Sequence, residues 1–99
     1  MCPIVRHHLP NRSTAAGRFH LDFAQQLQRD GWTVEFEAPL IYDGGRIGYI
    51  DLVATRNGLR VAFELDKNTP REKSIAKLRK YDCDEAWVVC RNGKTTRIR

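Results

Sequence analysis

The chain predicts an α/β fold in a single domain, with two helices packed on a sheet, and three patterns carry that prediction. Apolar residues recur at every fourth position early in the chain, two alternating runs flank Asn57-Gly58, and Thr69-Pro70-Arg71-Glu72 has the form of a capping box with proline at the first helical position. At 99 residues, a second core could not be built from what remains after the first is packed, so residues 1–99 form one domain.

Taken in order, residues 1–12 show no period, and Pro3, Pro10 and Asn11 suggest an irregular arm. Ser13 or Thr14 can cap a first helix over roughly 14–30, where Phe19, Phe23 and Leu27, broadened by Leu21 and Ala24, form one stripe and Asp30-Gly31 supplies the stop. Residues 32–38 alternate apolar with polar, the pattern of a strand, and Pro39 is expected to end it. The stretch 40–48, with Asp43-Gly44-Gly45 and Gly48, reads as a loop. Residues 50–56 and 59–66 then form a hairpin, because Asn57-Gly58 tolerates the positive φ of a type I′ turn. A second helix is expected over 70–81 with Ile75, Ala76 and Leu78 inward. Residues 85–91 are apolar enough for an interior strand, and Asn92-Gly93 turns into a last strand over 94–98. The order is α-β-β-β-α-β-β.

Composition excludes several classes. With 41% hydrophobic and 29% charged residues and a mean hydropathy of -0.53, the chain is that of a globular protein. No run approaches the roughly 18 apolar residues of a membrane span, and the start lacks the apolar segment of a signal peptide, so a cytoplasmic location is expected and no membrane partner. Cys2, Cys83 and Cys90 have neither disulfide-framework nor zinc-finger spacing and read as buried or idle thiols. Cys2, His7 and His8 lack a fourth ligand for a soft metal. The net charge of +5 comes from two blocks: Arg71, Lys73, Lys77, Arg79 and Lys80, and Arg91, Lys94, Arg97 and Arg99. On one side of the fold these would suit a polyanion; the plainer alternative is a solvated helix face and a basic tail.

The hairpin carries the chemistry. With Asn57 and Gly58 as turn residues, Arg56 faces Leu59 and, pairing outward, Asp51 faces Glu64. Opposed residues have Cβ atoms about 4.5–5.5 Å apart, where two like charges repel unless something neutralises them. Asp66 follows on the same face, which the acids share with Val53 and Ala62, while Ile50, Leu52, Ala54, Val61, Phe63 and Leu65 are expected on the other, core-facing side. Such carboxylates either raise a pKa or hold a hard cation such as Mg²⁺ or Mn²⁺. The alternative is a solvent-washed hairpin whose acids are separated by rotamer or paired with Arg60 or a helix lysine.

These features resemble the PD-(D/E)XK nuclease superfamily: the element order, the segment Gly48-Tyr49-Ile50-Asp51-Leu52-Val53-Ala54, and Ala62-Phe63-Glu64-Leu65-Asp66 on the third strand. The resemblance implies a restriction-endonuclease-like αβββαβ core, a central mixed β-sheet flanked by two helices. It implies that Asp51 and Glu64, with the Leu65 carbonyl, bind Mg²⁺ (or Mn²⁺), and that activated water attacks phosphorus in line. Asp66 departs from the pattern, which has lysine there; an acid cannot stabilise a developing hydroxide as an ammonium does, but could bind a second metal. Lys67 is turned to the opposite face by the strand period. Lys73 and Lys77, at i and i+4 of the second helix, are the candidates for a migrated catalytic lysine, with phosphate contact or plain solvation as alternatives.

The function expected on this basis is a metal-dependent nuclease hydrolysing DNA phosphodiester bonds, with Arg71, Lys73, Lys77, Arg79 and Lys80 on the nucleic acid. The alternatives are a nucleic-acid-binding module of the same fold that no longer cleaves, and a plain interaction domain. His20 and Asp22 are the residues of the first helix within reach as an extra acid or ligand, with a surface or solvated role as the alternative, and Glu35 and Glu37 suit pairing with basic side chains equally well. Trp32 and Trp87 are expected in the core or an interface. A domain this small offers little surface to grasp a duplex, so a homodimer is an expectation. Opposed acids also predict that Asp51→Asn and Glu64→Gln leave the fold intact or firmer.

Overall fold

A computed structural model describes residues 10–99 of the chain; Cys2, His7 and His8 lie outside the described residues. The elements are α1 (Ala15–Arg29), β1 (Thr33–Ile41), β2 (Ile47–Arg56), β3 (Leu59–Asp66), α2 (Glu72–Lys80), β4 (Glu85–Cys90) and β5 (Thr95–Arg97). The five strands form one sheet in sequence order, antiparallel throughout except for β3 and β4, which run parallel with α2 as the crossover. The architecture is therefore a mixed sheet with a helix on each face.

α1 starts where the sequence requires. The Thr14 hydroxyl accepts the Gly17 N–H at 3.0 Å, satisfying one of the orphan amides of the first turn. Gly17 cannot be replaced without moving the chain, because a Cβ there would lie 1.7 Å from the Asn11 carbonyl oxygen. Ala24, Phe23 and Leu27 then pack on Val34, Leu52 and Ala54, joined by Trp32, Phe36 and Phe63. The Phe23 and Phe63 rings meet edge to face at 5.0 Å. On the opposite face Leu78 and Ile75 of α2 cover Ala38, Leu40, Ile50, Val53, Ala62, Ala86 and Val88.

Four expectations are corrected. Pro39 does not end β1, which continues to Ile41; β1 is the edge strand, where a missing N–H is tolerated. The stretch 40–48 is not a loop: Leu40 pairs with Gly48 and Ile41 with Ile47 around a short 3-10 turn, with the Tyr42 N–H donating to the Arg46 carbonyl at 2.7 Å. Ile50 does not share a face with Leu52. Phe36 and its partner Leu52 lie on the α1 side, Ala38 and its partner Ile50 on the α2 side, and between them Glu37, at φ 55°, breaks the alternation opposite Asp51.

The fourth correction concerns α2, which begins at Glu72 rather than at Pro70. Arg71 is its N-cap, and the Thr69 capping box does not form; the buried Asp66 carboxylate accepts the Arg71 N–H at 2.9 Å instead. Its inward stripe is Ser74, Lys77 and Leu78, with Ile75 half-buried, whereas Ala76 is exposed. The hairpin turn at Asn57-Gly58 forms with φ of 51° and 82°, and β4 and β5 lie within two residues of their expected bounds.

Candidate functional site

The register of β2 on β3 is the one the turn dictates: Arg56 pairs with Leu59, and pairing proceeds to Leu52 opposite Phe63. Regular pairing stops there, one residue short of Asp51 and Glu64. Side chains take over the backbone's bonds at that point. The Asp51 N–H donates to Glu64 Oε2 at 2.8 Å, and the Leu65 N–H donates to Asp51 Oδ2 at 2.8 Å. The two acids are thus cross-bridged through each other's strands.

Glu64 has no exposure, while Asp51 is half-buried. Lys77 of α2 reaches the pair: its Nζ lies 2.8 Å from Glu64 Oε1 and donates to the Tyr49 carbonyl at 2.9 Å. Of the readings open at the sequence level, pairing with a helix lysine is the one this geometry displays. Burial first, and then the Asp51 charge, push the Glu64 carboxyl above its ordinary range, against the pull of Lys77 and of the Asp51 N–H. Oε1 is buried without an aligned hydrogen-bond donor among the described residues, so only the ammonium charge compensates it.

Asp66 does not join this pair. Its carboxylate has no side-chain exposure and accepts from Arg71 N at 2.9 Å, Arg71 Nε at 3.0 Å and Ser74 Oγ at 3.0 Å, with Arg71 Nη2 also at 3.0 Å. Three of these contacts fall on Oδ1 and one on Oδ2, so the carboxylate is engaged by Arg71 and Ser74 rather than turned to the Asp51–Glu64 pair, where the sequence suggests a second metal for it. Lys73 is exposed one turn before Lys77, so the two lysines do not share an environment. Arg79 and Lys80 are exposed on α2, and Lys80 lies 3.6 Å from Asp43.

The second basic block is divided. Arg99 turns back to donate to the carbonyls of Arg79 and Tyr81, closing the C-terminal end of α2 where cations are favoured. Arg97 lies over the Trp87 ring at 5.6 Å. Arg91, with His20 of α1, lines a pocket at the end of β3. Asp22 and Glu35 are exposed, and Trp32 packs at the edge of the α1 core under Arg56. Burial pushes the Cys90 and Cys83 thiols up, which suits inert rather than reactive sulfurs.

Two carboxylates on one side of a hairpin, one half-open to solvent and the other with an oxygen met by the Lys77 ammonium but by no aligned donor among the described residues, could hold a hard divalent cation. Mg²⁺ takes one or two carboxylates and keeps several waters. Among the described residues, no group of three or more His, Cys, Asp or Glu side chains is brought together, so waters would complete the shell. Sequence reasoning missed the burial of Lys77 and the tie between Asp66 and Arg71. The signal was present: Ser74, Lys77 and Leu78 have the i, i+3, i+4 spacing of an inward stripe, which a count of apolar residues alone passes over.

No family model matches the chain, and no curated protein matches it. Its structure is similar to the crystal structure of a protein of unknown function, AF1548, with a TM-score of 0.56 over 74% of this chain and 20% sequence identity. The chain spans 45% of the length of that neighbour. The likeness is one of fold, a mixed five-stranded sheet carrying two helices.

Proposed function

We propose that the chain is a metal-dependent nuclease of the PD-(D/E)XK type that hydrolyses phosphodiester bonds of DNA. The observation that carries this reading is the cluster of Asp51, Glu64 and Lys77, in which a buried ammonium stands 2.8 Å from one of two cross-bridged carboxylates. The superfamily's usual lysine, two residues after the glutamate, is an aspartate here, and the ammonium comes instead from the adjoining helix.

Asp51 and Glu64 would hold the metal between them, with the Leu65 carbonyl as a further ligand. A bound Mg²⁺ or Mn²⁺ lowers the pKa of water and neutralises charge on the phosphate. Asp51 is the more exposed of the two. Lys77 pulls the Glu64 carboxyl toward its ionised form, against burial and Asp51, and holds a positive charge beside the reacting oxygens, as an ammonium must if it is to steady a developing anion. The Tyr49 carbonyl orients that ammonium by accepting from it.

The test is incubation of the purified protein with plasmid and with oligonucleotides, in Mg²⁺, in Mn²⁺ and in chelator. Strand scission is expected with either metal, is expected to stop with chelator, and is expected to fall at least a hundredfold in Asp51→Asn, a substitution that keeps the Leu65 hydrogen bond. Scission that persists in chelator, or in folded Asp51→Asn, overturns the assignment.

One observation favours a second reading. The complete burial of Glu64 and its ion pair to Lys77 close off half of the metal site, as expected of a nucleic-acid-binding module that no longer cleaves. Such a module would retard DNA in a gel without cutting it, and its affinity would fall steeply with salt through counterion release.

A further inference from the structure

The pocket at the carboxyl end of β3 lies one residue along the strand from the carboxylate pair. It has a volume of about 210 Å³ and is lined by Phe19 and His20 of α1, Leu65 and Lys67 of β3 and its end, Arg71 at the cap of α2, and Arg91 after β4. That is room for a phosphate with part of a sugar. Leu65 joins the two places: it lines the pocket, and its N–H holds Asp51.

Three basic side chains line this space together with Asp66, whose carboxylate accepts from Arg71 and Ser74. Arg71 is the best-defined of the three. Asp66, with no exposure, grips it through Nε and Nη2, both at 3.0 Å, while its side chain is 58% exposed. A guanidinium held by one edge presents its remaining N–H groups in a fixed direction, and those of Nη1 have no partner among the described residues. Lys67 and Arg91 are exposed and make no ion pair among the described residues. Parallel strands gather ligands at their carboxyl ends, and here β3 and β4 end together, the Arg91 N–H donating to the Asp66 carbonyl at 3.0 Å.

We infer that this pocket binds a phosphate group of a nucleic-acid strand, with Arg71, Arg91 and Lys67 as its donors and Asp66 as the positioning residue that aims Arg71. This rests on the nucleic-acid reading of the neighbouring site but not on cleavage. It also accounts for Asp66: the acid in place of the expected lysine serves an arginine rather than a metal. Phe19, half-buried at the rim, offers a ring on which a base beside that phosphate can stack.

The phosphate could be the terminal monoester of a strand or an internal diester, and binding measured in chelator separates these. Anisotropy titrations would use a single-stranded oligonucleotide labelled at its 3′ end and carrying either a 5′-phosphate or a 5′-hydroxyl. Arg91→Ala and Lys67→Ala, both at exposed positions, are each expected to weaken binding about tenfold, the scale of one charge-assisted contact. Arg29→Ala, at the exposed end of α1, is the charge-matched control and should change it less than about twofold.

A terminal phosphate predicts a tenfold preference for the phosphorylated strand that collapses in Arg91→Ala; an internal one predicts equal losses for both strands. Either result supports the pocket. Equal losses in Arg29→Ala and Arg91→Ala would mean diffuse charge and overturn it, as would unchanged affinity in the pocket variants. Should inorganic phosphate perturb the Arg71 and Arg91 side-chain NMR signals while no oligonucleotide binds, the strand is overturned as the ligand and the nucleic-acid reading fails with it.

Discussion

Two contacts tie β3 to α2, and although only one residue separates their carboxylates in the chain, they treat charge in opposite ways. Glu64 and Asp66 both have side chains with no exposure, so each needs its charge compensated inside the protein. Asp66 receives four donors from Arg71 and Ser74, and its partner then extends into solvent. Glu64 receives one N–H and an ammonium whose own side chain is 11% exposed, and one of its oxygens has no aligned donor. The first arrangement spends a buried acid on presenting a cation. The second keeps both charges inside, next to a further acid, and a buried charge left short of donors is where a site for chemistry is to be sought.

The comparison is broken most severely by removing Lys77. Lys77→Met leaves Glu64 buried without its cation, and losing one partner of a buried pair costs about 3–5 kcal/mol. The loss depends on pH, with a definite sign. Glu64 already has its carboxyl raised by burial and by Asp51, and without Lys77 it rises further. A group raised on folding contributes stability that is full below its unfolded value and is lost as pH rises through its folded value. Urea unfolding of Lys77→Met should therefore show most of the deficit at pH 8 and little of it near pH 4, measured against the parent protein at each pH. A deficit that is equal at both, or larger in acid, would mean that Glu64 is not the group Lys77 compensates. The same contact changes the expectation for Glu64→Gln: an amide can accept from Lys77 or from the Asp51 N–H but not from both, so this substitution weakens the fold rather than firming it.

Removing Asp66 should cost less. Asp66→Ala strips the Ser74 hydroxyl, which is fully buried, and the amide of Arg71, the N-cap of α2, of their acceptor. Unsatisfied donors of this kind cost about 1–3 kcal/mol each when sealed from water, and the half-open cap amide lies at the low end, for a total of about 2–3 kcal/mol by urea unfolding. Asp66→Asn keeps one acceptor and should lose less than half as much. A change within about 0.5 kcal/mol, the scale of an ordinary surface substitution, would show that the Asp66 clamp contributes little and that the contrast with Glu64 is only apparent.

How far this contrast was legible in the sequence depends on which period carried it. The hairpin register follows from Asn57-Gly58 alone, so the meeting of Asp51 with Glu64 could be read directly. The strand alternation beyond it could not, because Glu37 adopts φ 55° without a glycine to signal it and sends Ile50 to the α2 side. At α2, the local capping signal was outweighed by a tertiary one: Asp66, five residues earlier, binds the Arg71 amide and moves the helix start to Glu72. Lys77 escaped for a related reason. A lysine between Ala76 and Leu78 reads as a surface charge until the depth of Glu64 is known, and that depth comes from α2 covering the sheet.

Asp51 should be the mildest of the three to neutralise. Its half-buried carboxylate accepts one backbone bond, from Leu65, which an asparagine carbonyl can accept equally well. Removing its charge also removes one of the two causes that raise the Glu64 carboxyl, so the folded value moves back toward the ordinary range. By the same sign rule, a lowered folded value returns stability at pH above that range, and nothing in acid where the Glu64 carboxyl is protonated. Asp51→Asn should therefore be as stable as the parent near pH 4 and up to about 1 kcal/mol more stable at pH 8, since one exposed-side repulsion contributes no more than that. Loss of stability at pH 8 would mean that the acid is held there by the fold itself, in which case Asp51 belongs with Asp66 as a structural clamp and the metal site loses its open half.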